Sequence, residues 1–95
     1  MLALLAVLAG CGRDEEVPRT PAEKAARAQA LIEDGNEAYT QGDYRRAAHR
    51  YAAAAAVKKD DPAAHYGMAM ALQKLGRDEE ARAAYARSRE LTQKR

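Results

Sequence analysis

The feature that most constrains this chain is a period. Gly42 and Gly76, Ala47 and Ala81, and Tyr51 and Tyr85 each stand 34 positions apart, and Gly35 answers to Ala69 at the same step. A recurring unit of that length is one supersecondary element that cannot bury its own apolar side, so the copies are expected to stack. The fold then depends on what one unit contains and on how one unit meets the next.

The punctuation within the unit is helical. Thr20 can cap, Pro21 suits the first helical position, and Glu23 lies three residues after Thr20, the pattern of a capping box. Ala-rich sequence then runs to Gln41, where Gly42 supplies the left-handed residue that ends helices. Glu23 and Arg27 are spaced as an i,i+4 ion pair. Asp43 caps a second segment, whose apolar set Tyr44, Ala47, Tyr51, Ala54 and Val57 recurs at three- and four-residue steps. Asp61 caps a third segment that Pro62 starts and Gly76 stops, and Arg77 or Asp78 precedes a fourth ending near Thr92. No strand signal intervenes, so the expected fold class is all-α, two tandem helix-turn-helix hairpins. A four-helix bundle would use the same segments, whereas a continuous alanine-rich coiled coil would have to cross both glycines and their polar caps.

The first residues decide what the mature chain contains. Leu2 to Leu8 is an uncharged run of Leu, Ala and Val, far short of the roughly 20 residues that span a bilayer. It reads as the core of a cleavable signal peptide over residues 1–10, although Met1-Leu2-Ala3 lacks the usual cation. The run closes on Leu8-Ala9-Gly10-Cys11, which resembles the lipobox of bacterial lipoproteins; the resemblance implies diacylglycerol on Cys11, the one cysteine of the chain. Residues 11–20 are then a lipidated tether, a charge cluster followed by Val17-Pro18-Arg19-Thr20 with too little apolar surface to offset the entropy of ordering. The folded domain is expected over residues 21–95. Gly12, rather than Asp, after the lipidated cysteine favours the outer membrane, facing the periplasm.

The stretch Asp34-Gly35-Asn36-Glu37-Ala38-Tyr39-Thr40-Gln41-Gly42-Asp43-Tyr44-Arg45-Arg46-Ala47 resembles the core of the tetratricopeptide repeat. The resemblance covers residues 28 to about 92, with repeats at about 28–61 and 62–95. It implies an α-α superhelix segment in which Gly35 and Ala69 let the helices of a hairpin approach, Ala47 and Ala81 do so from the second helices, and Ala38 and Leu72 face inward. Tyr51 and Tyr85 would take the family's large aromatic slot. The departures are specific. The inward Leu is Asp34 in one repeat and Met68 in the other, the Trp slot holds Leu31 and His65, and the Tyr after the turn is Tyr44 but then Asp78. The proline near a repeat's end is missing at Lys59, and the last small residue is Ala54 and then Ser88. With neither Trp nor Phe in the chain, these changes predict a thin core and marginal stability.

The same resemblance implies a function. First helices of successive hairpins line a concave groove that receives a peptide or a partner helix. Carried over residue by residue, the groove takes Ile32, Asn36 and Tyr39 from the first hairpin and Tyr66, Met70 and Gln73 from the second. The plain alternative for Tyr39, Tyr66 and Met70 is core packing. Relatives that clamp a terminal carboxylate need cations where Ile32 and Tyr66 stand, so the expected ligand is an apolar or mixed segment of an envelope protein. Two hairpins are few for a stack, and a homo-oligomer or completion by a partner's repeats is a further expectation.

Charge and chemistry narrow the rest. A net charge of +2 gives no bulk attraction to nucleic acid. Between Tyr44 and Lys59 lie Arg45, Arg46, Arg50, Lys58 and Lys59 with His49 and no acid, a basic second helix suited to anionic lipid or an envelope polymer, or simply a solvated face. No enzyme is expected, since His49 and His65 lie on different helices without a companion nucleophile. Two isolated histidines lack metal-ligand spacing, Asp78-Glu79-Glu80 reads as charge at a helix start, and no glycine-rich phosphate loop appears, so no metal or cofactor is expected.

Overall fold

The computed structural model describes residues 17–94. The expected signal peptide and Cys11 lie outside the described residues, as does the expected tether up to residue 16. Four helices follow in order: α1 (Pro21–Thr40), α2 (Tyr44–Val57), α3 (Pro62–Lys74) and α4 (Asp78–Gln93).

The helix ends obey their local chemistry. Thr20 Oγ1 accepts from the Glu23 amide at 3.1 Å while Glu23 Oε1 accepts from the Thr20 amide at 2.9 Å, closing the capping box. That carboxylate also takes the Arg19 amide at 3.0 Å. Three backbone and hydroxyl bonds hold its pKa below the ordinary value, the Thr20 and Arg19 amides acting most. Glu23 is thus engaged by the backbone rather than by Arg27, because an amide fixed by the cap is a closer partner than a long mobile side chain. Asp43 and Asp61 cap α2 and α3 through their side chains, whereas Arg77 precedes α4 without a side-chain cap. The first turn of α4 instead carries Asp78, Glu79 and Glu80, which complement the positive end of the helix dipole.

The two hairpin turns repeat down to their hydrogen bonds. Gly42 and Gly76 have φ of 80° and 79°, a region that costs other residues the contact between Cβ and backbone. Behind them, the Asp43 amide donates to Ala38 O and the Arg77 amide to Leu72 O, both at 2.9 Å. These are the six-to-one bonds of a Schellman ending, one period apart.

Packing then builds two hairpins and joins them. Helix α1 packs on α2, α3 on α4, and α2 on α3, with a smaller contact between α1 and α3 and none between α2 and α4 among the described residues. Because the first helices touch and the second helices do not, the layer bends with α1 and α3 on its inner side. Among the described residues, Tyr51 is the only large side chain that is fully buried, at 1% exposure. Its ring lies between two glycines. A Cβ added to Gly35 of α1 would sit 3.0 Å from the ring, and one added to Gly67 of α3 would overlap it. Around the ring are Ala28, Ile32, Ala38, Ala47, Ala54, Ala64 and Ala71, a core made almost wholly of small residues.

The departures from the repeat pattern have local explanations. Asp34 accepts Arg46 at 3.1 Å and Arg50 at 2.7 Å, tying α1 to α2 where an apolar contact is usual. His65 Nε2 lies 3.0 Å from Lys59 O and pins the linking loop to α3. Ser88 donates to Pro62 O at 3.0 Å, so the hydroxyl is satisfied inside the second hairpin.

Gly67→Ala is expected to destabilise the fold by up to about 2 kcal/mol, since overpacking of about 1–3 kcal/mol, near its upper end where the Cβ overlaps the ring, outweighs a gain of about 1 kcal/mol in helix propensity. Gly35→Ala, with more room, should cost less. Urea denaturation followed by circular dichroism separates the two.

Candidate functional site

The inner side of the bend is formed by α1 and α3, and of the six residues expected to line a groove there, five are exposed or half-buried. Ile32 is the exception. At 8% exposure it belongs to the core around Tyr51, because α3 covers the side of α1 that carries it. Its repeat equivalent, Tyr66, is 51% exposed, since nothing among the described residues covers the corresponding side of α3.

The remaining residues are held by neighbours from the second helices. Asn36 is exposed, and its Oδ1 accepts the hydroxyl of Tyr51. The amide is therefore oriented by the core tyrosine, and its NH2 stays free of that bond. Tyr39 is half-buried and meets Tyr44 edge to face, with ring centroids 5.2 Å apart. The Lys74 ammonium lies 5.9 Å from the Tyr44 centroid, so α1, α2 and α3 are linked through one aromatic pair. On the second hairpin, Tyr66 meets Tyr85 edge to face at 5.5 Å, and Gln73 Oε1 accepts the Tyr85 hydroxyl at 3.1 Å. Met70 lies half-buried on α3.

Tyr44 and Tyr85 thus lean on Tyr39 and Tyr66, although the sequence reading placed Tyr44 in the apolar set of the second helix and Tyr85 in a packing slot. Their aromatic spacing carried a signal, since a tyrosine at the start of a second helix or one period after Tyr51 can lean toward its own hairpin's first helix, as Tyr51 does toward Gly35. Which ring it would meet depended on the fold.

Titration marks how closely the rings gather. Burial first, and then the neighbouring Tyr39, push the Tyr51 hydroxyl above the ordinary tyrosine value. Tyr85 is likewise raised, by partial burial and then by Tyr66 and Tyr39. A phenolate at any one of these positions would repel a second. The surface is a strip of hydroxyls, amides and one thioether, with the Lys74 ammonium at its edge over the Tyr44 ring.

The basic helix divides on inspection. Asp34 engages Arg46 and Arg50, so two of the cations assigned to α2 act within the fold. Lys58 and Lys59 lie at the other end, beside Lys24 and Pro21 around a shallow 540 Å³ depression. Among the described residues, no helix is long and apolar enough to cross a membrane, and no group of three potential metal ligands forms.

The family described as Tetratricopeptide repeat matches residues 38–95, more than half of the chain. No curated protein and no solved structure matches it.

The raised Tyr51 pKa gives a signed pH dependence. Its neutral form is favoured by the fold, so the contribution is complete below the unfolded value near 10 and is lost as pH rises through the higher folded value. The melting temperature should fall above about pH 10, and fall less in Tyr51→Phe, in thermal scans across alkaline buffers.

Proposed function

Because this chain belongs to the tetratricopeptide repeat family, whose repeats generally mediate contacts between proteins, we propose that it is a membrane-anchored scaffold of the bacterial cell envelope. It holds an envelope protein or peptide along the inner side of α1 and α3. The observation that carries this reading is the strip of tyrosines and oriented amides itself. Tyr39, Met70 and Tyr66 offer apolar area, and Asn36 and Gln73 offer amides already oriented by Tyr51 and Tyr85.

The chemistry of the strip selects a class of ligand. Tyrosine gives broad contact for few rotatable bonds, and methionine adapts to irregular shapes. Asn36 keeps donors for the carbonyls of an extended or terminal turn of a partner. Since the Lys74 ammonium beside the strip lies over the Tyr44 ring, and Ile32 and Tyr66 stand where a carboxylate clamp needs cations, the ligand is an apolar or mixed segment rather than one recognised by a terminal carboxylate. The family is generally non-enzymatic, and the role proposed is to hold a partner without altering it.

Anchoring follows from the residues before the fold. Cleavage after Gly10 and acylation of Cys11 would leave a short tether ahead of α1. Lys24, Lys58 and Lys59 lie at the end of the domain where that tether joins, which supports a second reading, contact of this end with anionic head groups. Arg46 and Arg50 take no part in it, being engaged by Asp34.

Two measurements test the proposal. A photoreactive residue at Tyr66 of the full chain should capture one defined envelope protein in cells, and Tyr39→Ala with Met70→Ala should reduce that capture at least about tenfold while helicity is kept, as loss of two contacts worth about 1 kcal/mol each requires. Capture unchanged by the double substitution would remove the groove assignment. Incorporation of labelled fatty acid should be abolished by Cys11→Ser; persistent incorporation would remove the anchor.

A further inference from the structure

The contact between the two hairpins is made by small residues. Ala64 and Ala71 of α3 belong to the cluster around Tyr51, and Gly67 lies against its ring. From α2, Ala48 and Ala55 pack against the same cluster, and Ala48 and Ala52 share a depression with Met68 and Leu72 of α3. These residues define a stacking register, the face that a second helix turns to the next first helix.

The 34-residue period carries both halves of that register to the two ends of the described fold. One period after Ala48, Tyr51, Ala52 and Ala55 stand Arg82, Tyr85, Ala86 and Arg89 on α4. One period before Ala64, Gly67 and Ala71 stand Ala30, Glu33 and Glu37 on α1. Apart from half-buried Tyr85, all of these end residues are exposed. The ion pairs of the fold use Asp34, Glu80 and Glu90 with Arg46, Arg50, Arg77, Arg87 and Lys94. Among the described residues, Arg82, Arg89, Glu33 and Glu37 take part in none of them, and Glu33 accepts from the Gln29 amide at 3.2 Å. Where the internal junction is alanine against alanine and glycine, the two ends are arginine and glutamate in matching positions.

We propose that the chain stacks head to tail on a second copy of itself, α4 of one copy against α1 of the next, in the register that α2 and α3 use within the chain. Arg82 and Arg89 then meet Glu37 and Glu33. Tyr66 and Tyr85 are covered as Ile32 and Tyr51 are covered by α3, and the two rings lie at the centre of a contact with charges at its rim, the usual anatomy of a protein interface. A second copy is selected over an unrelated acidic protein because the complementary carboxylates occur at the register-matched positions of this same sequence.

The junction is not a replica of the internal one. Glu33 stands where Gly67 admits the Tyr51 ring, so the two helices are held farther apart, and attraction between side chains replaces close packing of backbones. Asp78, in the first turn of α4, lies one period after Tyr44 and moderates the positive charge at one edge of the face. Exposed ion pairs are individually weak and are screened by salt. The contact joins two different surfaces and does not close on itself, so association grows with concentration instead of stopping at a dimer. This contact shares Tyr66 with the groove reading but otherwise uses α4 and the outer side of α1, so Tyr39 and Met70 separate the two.

Two differently tagged full-length copies, co-expressed and solubilised in non-ionic detergent, provide the test. Capture of one tag should bring down the other at low salt and much less at high salt. Arg82→Glu with Arg89→Glu in both copies should lower that capture about tenfold or more, two pairs being both lost and made repulsive. Pairing this variant with a copy carrying Glu33→Arg and Glu37→Arg should restore it, a result that general damage to the fold would not give. Tyr39→Ala with Met70→Ala should leave it unchanged, which separates this contact from the groove. Absence of co-capture between native copies would overturn the proposal. So would capture indifferent to charge reversal, a reversal that the exchanged pair fails to repair, or loss of a foreign acidic protein from the reversed variant with no co-capture of copies.

Discussion

Everything else in this fold depends on the burial of one aromatic ring between two glycines. Tyr51 reaches across from α2 to lie against Gly35 of its own hairpin and Gly67 of the next, so a single side chain fastens both levels of the architecture. The surrounding alanines contribute little apolar area each. What they permit is close approach of the helices, and dispersion between backbones compensates for the missing large side chains. The ring also reaches the proposed binding surface, because its hydroxyl donates to Asn36 on the inner side. Core and site are therefore one construction, in which a residue that seals the interior also orients an amide outside it.

Polar bonds fill the places where the repeat pattern is broken. Asp34 exchanges an apolar contact for a pair of arginines, His65 for a loop carbonyl and Ser88 for the carbonyl of Pro62. Each substitution would leave a buried or half-buried polar group stranded without its partner, a cost of about 1–3 kcal/mol. Among the described residues no buried side-chain nitrogen or oxygen is left without one. These bonds also decide which cations remain available to a ligand, since a guanidinium held by Asp34 is part of the hairpin and not of an electrostatic surface.

Repeat equivalence holds for the backbone and fails for burial. The two Schellman turns match bond for bond, yet Ile32 and Tyr66, or Tyr51 and Tyr85, occupy the same register with different exposure. A position between two hairpins is covered from both sides, and a position at the end of the described stack is covered from one. The groove expected from the sequence loses Ile32 for this reason. It gains Tyr44 and Tyr85, which lean on Tyr39 and Tyr66.

By itself the sequence determined the four helices, their caps, the two left-handed glycines and the period. Those follow from bonds among residues a few positions apart, as with Thr20 and Glu23 or Asp43 and Arg46. Only the tertiary structure decided that Gly67 makes room for Tyr51, that Asp34 binds Arg46 and Arg50, and that Glu23 turns to the backbone instead of Arg27. It also decided which tyrosines stay open. Burial and pairing are set by neighbours a turn, a helix or a hairpin away, so no residue carries in its own surroundings along the chain the information about what will lie on top of it.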